Sequence, residues 1–202
     1  MQSLISNNAD IAVFAVAAGN GYRHIDDTSV HAQDTAYWQS FGYPGTASMA
    51  FYSAGVARLQ NTLDNVMAVG ALQRIATTVY GLENASAVNR ADYSNYGTGI
   101  IMAATDSPAT TQSGSMGFFG GTSAANPNMA GIASLVWSAN TNLTGSQIRQ
   151  IIFDTAMDLG TSGADDNYGR GLVNADAAVR RAYALRTNAD VANLYSGSSI
   201  LV

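Results

Sequence analysis

Three short runs along the chain are apolar without polar alternation: IAVFAVA at 11–17, NVMAVGAL at 65–72 and IIMAA at 100–104. Runs of this length suit strands of a parallel sheet covered on both faces, where neither set of side chains meets water. A different pattern occupies 120–137, where a glycine turn feeds GGTSAANPNMAGIASLVW and no charge appears until Arg149. It predicts a helix buried on nearly every side, with Thr122 as N-cap and Ser123 in the first turn. Pro127 cannot donate the bond that the Ser123 carbonyl would accept, so an irregular first turn is expected. Further on, Ile148, Ile151, Ile152 and Ala156 form one apolar helical face, with Ser146 as its expected cap. Asn174 is placed to cap a helix from Ala175 to about Leu185. Shorter elements are expected at 1–8, the end of a helix, and at 54–63, a short helix. The connection 73–89 reads partly as a hairpin, and 165–173 as a loop entering an edge strand. Strands alternating with helices predict an α/β fold with a parallel sheet between helical layers. Residues 1–186 form one unit in this reading, and 187–202 a patternless tail or the start of a linker.

Composition narrows the function classes. A chain of 202 residues with 47% hydrophobic residues is long enough for one domain with a sizeable core. Only 11% of its residues are charged and the net charge is −5, so no basic cluster is present to neutralise nucleic-acid phosphates. Cysteine is absent, which excludes disulfides and thiolate metal sites. No apolar run approaches the ~20 residues of a membrane helix. Low charge with many Gly, Ser, Asn and Tyr accords with an extracellular or cell-envelope protein. Met1 is followed by polar residues rather than a signal peptide, so any targeting segment is expected outside these residues. His24 and His31 fall near Asp26, Asp27 and Asp34, but their spacing matches no strong metal-ligand motif. Adjacent Asp165 and Asp166 read as solvated loop carboxylates.

Ser123 is the residue whose position suggests chemistry. At a helix start, free backbone N–H groups and the positive end of the helix dipole converge, and both favour negative charge, including charge that develops in a transition state. A buried core helix with a serine near its cap has the same local sequence. Asn20 follows the first apolar run, and in open parallel sheets functional loops lie beyond the carboxyl ends of strands. A turn asparagine before a glycine is the alternative there.

The ordered set of segments resembles the subtilisin-like serine proteases. GGTSAANPNMAG resembles their G-T-S-M-A-x-P-x-x-A-G motif through Gly121, Thr122, Ser123, Ala125, Pro127, Ala130 and Gly131, with Ala124 and Asn128 as departures. AVFAVAAGN, NVMAVGA, ADYSNYG and NYGRGLVNADAAV resemble, in the family's order, the segments around it, so the likeness spans most of 12–179. The resemblance implies a three-layer α/β/α fold with a mostly parallel sheet. It assigns Ser123 as nucleophile, the Asn20 amide and the Ser123 N–H as oxyanion donors, and Ala18 and Gly19 as one wall of the substrate pocket. Gly42, Tyr43 and Pro44 resemble a second pocket segment. The substrate would be a polypeptide, without a cofactor in this chain and with room for structural calcium in a full domain.

A triad also needs a histidine and an aspartate, which in this family precede the serine, in the order Asp, His, Ser. Neither His24 nor His31 precedes a glycine as the family's H-G-T motif requires, and both follow Asn20. No segment before Ile11 resembles the aspartate region. The resemblance therefore implies the carboxyl-side part of a catalytic domain, incomplete on its N-terminal side, whose missing part is a partner bearing base and acid. A non-catalytic binding module of the same fold is the alternative. The serine–carboxyl peptidases share G-T-S but carry an aspartate where this chain has Asn20.

Overall fold

The protein's structure, a computed structural model, describes residues 2–26, 40, 55–74, 88–110 and 113–186. Its centre is β2, Val66–Arg74, flanked in parallel by β1, Phe14–Ala17, and β4, Ile101–Ala104. Register runs from Phe14 opposite Val66 to Ala17 opposite Val69, and from Val69 opposite Ile101 to Leu72 opposite Ala104. From Val66 to Leu72 no apolar side chain of β2 is more than 3% exposed. The lack of alternation in the sequence thus has the expected cause, a strand covered on both faces. The three apolar runs are neighbours, as predicted, although β1 begins late. Residues 11 and 12 turn instead, with both N–H groups donating to Asn8 O, and Ile11 is exposed.

Strand β3, Val88–Arg90, pairs antiparallel with the far end of β2, and residues 75–87 of the expected hairpin lie outside the described residues. A 3₁₀ helix, Gly55–Asn61, lies where a short helix was expected. Its Gln60 Oε1 accepts from Ala68 N, closing the part of β2 that lies before its pairing with β4. On the outer side of β4, Met102 N donates to Gly171 O and Val173 N to Met102 O, so the segment near 171–173 extends the sheet. One element had no sequence signal: β5, Ser107–Thr110, and β6, Met116–Phe119, form an antiparallel hairpin. Pro108 inside one strand and glycines around the other hid it.

Helix α1 is the short Gln2–Ser6, and α2 is Thr122–Ala139, α3 Gly145–Asp154 and α4 Ala175–Ala184. Two caps differ from expectation. Thr122 is the first residue of α2 and Gly121 its N-cap, without a side-chain bond. Thr144, not Ser146, caps α3 in a reciprocal capping box with Gln147, which satisfies two backbone donors at once. Asn174 caps α4 as predicted, accepting from Ala177 N.

Helix α2 also departs from full burial. Ala124, Ala125, Met129, Ala133 and Val136 face the core, whereas Ser123, Pro127, Ala130, Gly131, Ser134 and Leu135 are exposed. A run without charge cannot by itself distinguish a buried face from an uncharged solvent face. Nor does Pro127 break the helix, which continues from Thr122 to Ala139.

These exposures carry a prediction about the chain alone. Among the described residues β1 pairs on one edge only, and Leu135, Met116 and Phe118 are 58%, 74% and 81% exposed. Open strand edges and apolar patches drive self-association. The isolated chain is expected to aggregate or to melt with weak cooperativity, read by size-exclusion chromatography and thermal melting. A sharp, reversible melt of a monomer would contradict this.

Candidate active site

The site forms where the loop after β1 meets the start of α2. Asn20 Oδ1 accepts from Thr122 N and from Thr122 Oγ1, both at 2.9 Å. The backbone N–H can only donate, which fixes the carboxamide: its oxygen faces Thr122 and its Nδ2 is turned away. Asn20 Nδ2 donates to none of the described residues. Thr122 Oγ1 in turn accepts from Gly19 N at 3.2 Å. A residue expected to cap its own helix therefore spends its hydroxyl on the loop holding Asn20.

Ser123 follows directly and is exposed. Its N–H belongs to the first helical turn, where no intrahelical acceptor exists. Among the described residues, none accepts from that N–H or from the Ser123 hydroxyl. Among the described residues, the Asn20 amide and the Ser123 N–H are thus donors without an acceptor, and the Ser123 hydroxyl is unengaged.

Gly121 makes this approach sterically accessible. Its φ is 80°, and a Cβ there would lie 3.0 Å from Asn20 Nδ2. Its peptide groups are held from the other side. Gly121 N donates to the Tyr93 hydroxyl at 3.1 Å, and Thr105 Oγ1 donates to Gly121 O at 3.0 Å. Because the Thr105 proton is committed, the 3.2 Å contact between the two hydroxyls must have Tyr93 as donor. Asn128, one of the departures from the motif, ties α2 to β4 and to the hairpin, with Nδ2 donating to Ala104 O and Ser107 Oγ.

Asn20, Ser123, Ala18 and Gly19 come together; Ala18 is fully buried and Gly19 has a φ of 103°. Gly42, Tyr43, Pro44 and His31 lie outside the described residues. His24 is engaged elsewhere. Its Nδ1 accepts from Asp26 N at 3.1 Å, which leaves the proton on Nε2, 3.3 Å from Asp166 Oδ1. Asp165 was read as solvated; its carboxylate instead closes a turn, accepting from Thr161, Asn167 and Tyr168 N–H groups. The orienting roles of Thr122, Tyr93 and Thr105 went unseen in the sequence, because each acts on a residue distant along the chain.

The chain is similar to known proteins. A model described as the subtilase family matches residues 1–171. Alkaline elastase YaB of Bacillus sp. (strain YaB) is 34% identical over 146 residues, covering 63% of this chain and 38% of that protein. Subtilisin Savinase of Lederbergia lenta is 39% identical over 94 residues, or 46% of this chain and 34% of its own length. Among solved structures, fervidolysin from Fervidobacterium pennivorans, a keratinolytic enzyme related to subtilisin, is 25% identical. That alignment covers 57% of this chain and 19% of fervidolysin, with a TM-score of 0.48. The chain spans well under half the length of the two curated relatives. By the family match over most of its length, this chain belongs to the subtilase family.

Proposed function

We propose that the chain is the carboxyl-side part of a serine endopeptidase domain, with its general base and orienting acid supplied by a separate segment. The observation that supports this reading is the Asn20 carboxamide, pinned through its oxygen by Thr122, the residue next to Ser123, so that Nδ2 remains an uncommitted donor. In the reaction, Ser123 Oγ attacks the scissile carbonyl of a polypeptide as its proton passes to the base. The resulting oxyanion takes hydrogen bonds from Asn20 Nδ2 and Ser123 N–H. Collapse expels the amine, which receives the proton, and leaves an acyl-enzyme that water hydrolyses through the same donors.

That both ring nitrogens of His24 have partners supports placing the base outside this histidine. Gly19, half-buried and backed by the buried Ala18, is proposed as one wall for the substrate side chain, with Gly42, Tyr43 and Pro44 proposed as the other. The chemistry requires no cofactor, and the reading includes an extracellular or cell-envelope location. No helix among the described residues is long and apolar enough to cross a membrane.

The test is Asn20→Ala in the protease assembled from this chain and the base-bearing segment. The loss recorded for such an asparagine in a subtilisin is about 10²–10³ in kcat, and the same range is expected here with little change in KM. Unchanged kcat would sink the oxyanion assignment and leave the non-catalytic module as the better reading.

A further inference from the structure

We propose that Asn95 is a positioning residue for the oxyanion loop, setting the backbone from which Asn20 reaches the transition state; this rests on reading Asn20 as the oxyanion donor. After β1 the segment 18–23 leaves the sheet, and its peptide groups need partners elsewhere. Asn95, which is fully buried, supplies several of them. Its Nδ2 donates to Ala18 O at 2.8 Å, and its Oδ1 accepts from Gly21 N at 3.1 Å and Arg23 N at 3.0 Å. Its own N–H donates to Gly19 O at 2.9 Å. The residues on either side of Asn20 are therefore all held by one side chain and its peptide.

The loop is not one the chain adopts unaided. Tyr22 has a φ of 52°, in the left-handed region that bulky residues avoid, and Gly19 has a φ of 103°. Such a conformation persists when surrounding bonds over-determine it. Tyr22 N also donates to Tyr93 O, and Tyr96 N to Arg23 O, so the whole turn around Asn95 templates the loop. The two constraints on Asn20 are separable: Asn95 fixes where its backbone lies, and Thr122 fixes how its carboxamide turns.

The chemistry demands a carboxamide. One planar group must accept two N–H bonds at one end and donate to a carbonyl from the other; an ionised carboxylate has no proton to donate, and a single hydroxyl oxygen does not span both ends. Asn95→Asp keeps the shape and the acceptor but sets an oxygen against Ala18 O. In the assembled protease it is expected to lower kcat by ~10–10²-fold with KM little changed, as a small misplacement of a catalytic group does. Burial favours the neutral form of the introduced carboxyl, and once protonated that group can again donate to Ala18 O. The ratio of variant to native kcat should therefore rise as pH falls. The neighbouring ionisable and charged groups are Arg90 on Ser94 O, Tyr93, Tyr96, Arg23 and His24 with Asp166; the ratio removes the effects they have on both proteins alike, and the cations Arg90 and Arg23 move the recovery to lower pH without reversing its direction. Asn95→Ser, whose hydroxyl is too short to span the loop, should show the kcat loss without the recovery at low pH.

In an Asn20→Ala background either change should cost less than threefold further, because it acts through a group already removed. An undiminished loss in that background, or an unchanged kcat in both single variants while Asn20→Ala is impaired, would overturn the role of Asn95 alone. Full activity of Asn20→Ala would overturn the oxyanion assignment itself, and the Asn95 proposal with it.

Discussion

Alone, the chain is expected to hydrolyse no peptide detectably and to react slowly with a fluorophosphonate; adding the base-bearing segment, in trans or fused, is expected to restore labelling at Ser123. The reason is protonic. A serine hydroxyl is a weak nucleophile until a base accepts its proton, and among the described residues nothing bonds to Ser123 Oγ. What remains in the proposed site, Asn20 Nδ2 and the Ser123 N–H, would stabilise charge but would not create the nucleophile. In a subtilisin stripped of its triad, such donors and binding leave about 10³–10⁴ over water, whereas loss of the serine or the histidine alone removes ~2 × 10⁶ in kcat. In the assembled protease Ser123→Ala should therefore abolish labelling and reduce turnover on the order of a million-fold. Fast labelling of the isolated chain, lost on replacing His24 or His31, would place the base within this chain and defeat the proposal.

The parts of this site that the sequence displayed were those where one residue does one local job. Asn20 after an apolar strand, Ser123 at a helix start and Asn174 before Ala175 each follow from neighbours a few positions away. The remainder was written in long-range bonds. Thr122 resembles an N-cap because Ser and Thr cap helices, but its hydroxyl lies between Gly19 N and Asn20 Oδ1, more than 100 residues earlier. Asn95 stood inside ADYSNYG, a segment singled out only by resemblance, and nothing nearby reveals that its carboxamide is spent on 18–23. For α3 the decisive signal was present, since Gln147 follows Thr144 at capping-box spacing and Ser146 has no such partner. The outer face of α2 was misread because small uncharged residues fit solvent and a close-packed neighbour equally well. Hairpin β5–β6 escaped because SPAT and MGFF carry neither alternation nor a two-residue turn.

Gly169→Ala, in the loop at 165–173, is expected to be strongly destabilising, as is Gly171→Ala, whose added methyl would lie 2.1 Å from Met157 O. Gly169 has a φ of 60°, and a Cβ there would lie 2.0 Å from Ile100 O, 2.8 Å from Ile100 C and 3.0 Å from Gly97 O. These are backbone atoms at the entrance to β4, with no side chain to swing aside. Moving the loop would strain Arg170 N to Ile100 O at 2.7 Å and Met102 N to Gly171 O at 2.9 Å, the bonds that attach 170–173 to the sheet. Positive φ alone costs an alanine about 1–2 kcal/mol. Lost sheet-edge bonds, at ~1 kcal/mol each, bring the expected total above about 3 kcal/mol. For a protein of this size that is a fall of roughly 6–12 °C in melting temperature. Gly163→Ala separates the two causes, because Gly163 also has a positive φ, 86°, but nothing lies within 4 Å of the added methyl. It should show the conformational cost alone. Thermal melting of both variants in the assembled protease decides the matter. Equal losses would mean that the loop yields to the methyl, and that the close approach of Gly169 to Ile100 does not hold this end of the sheet.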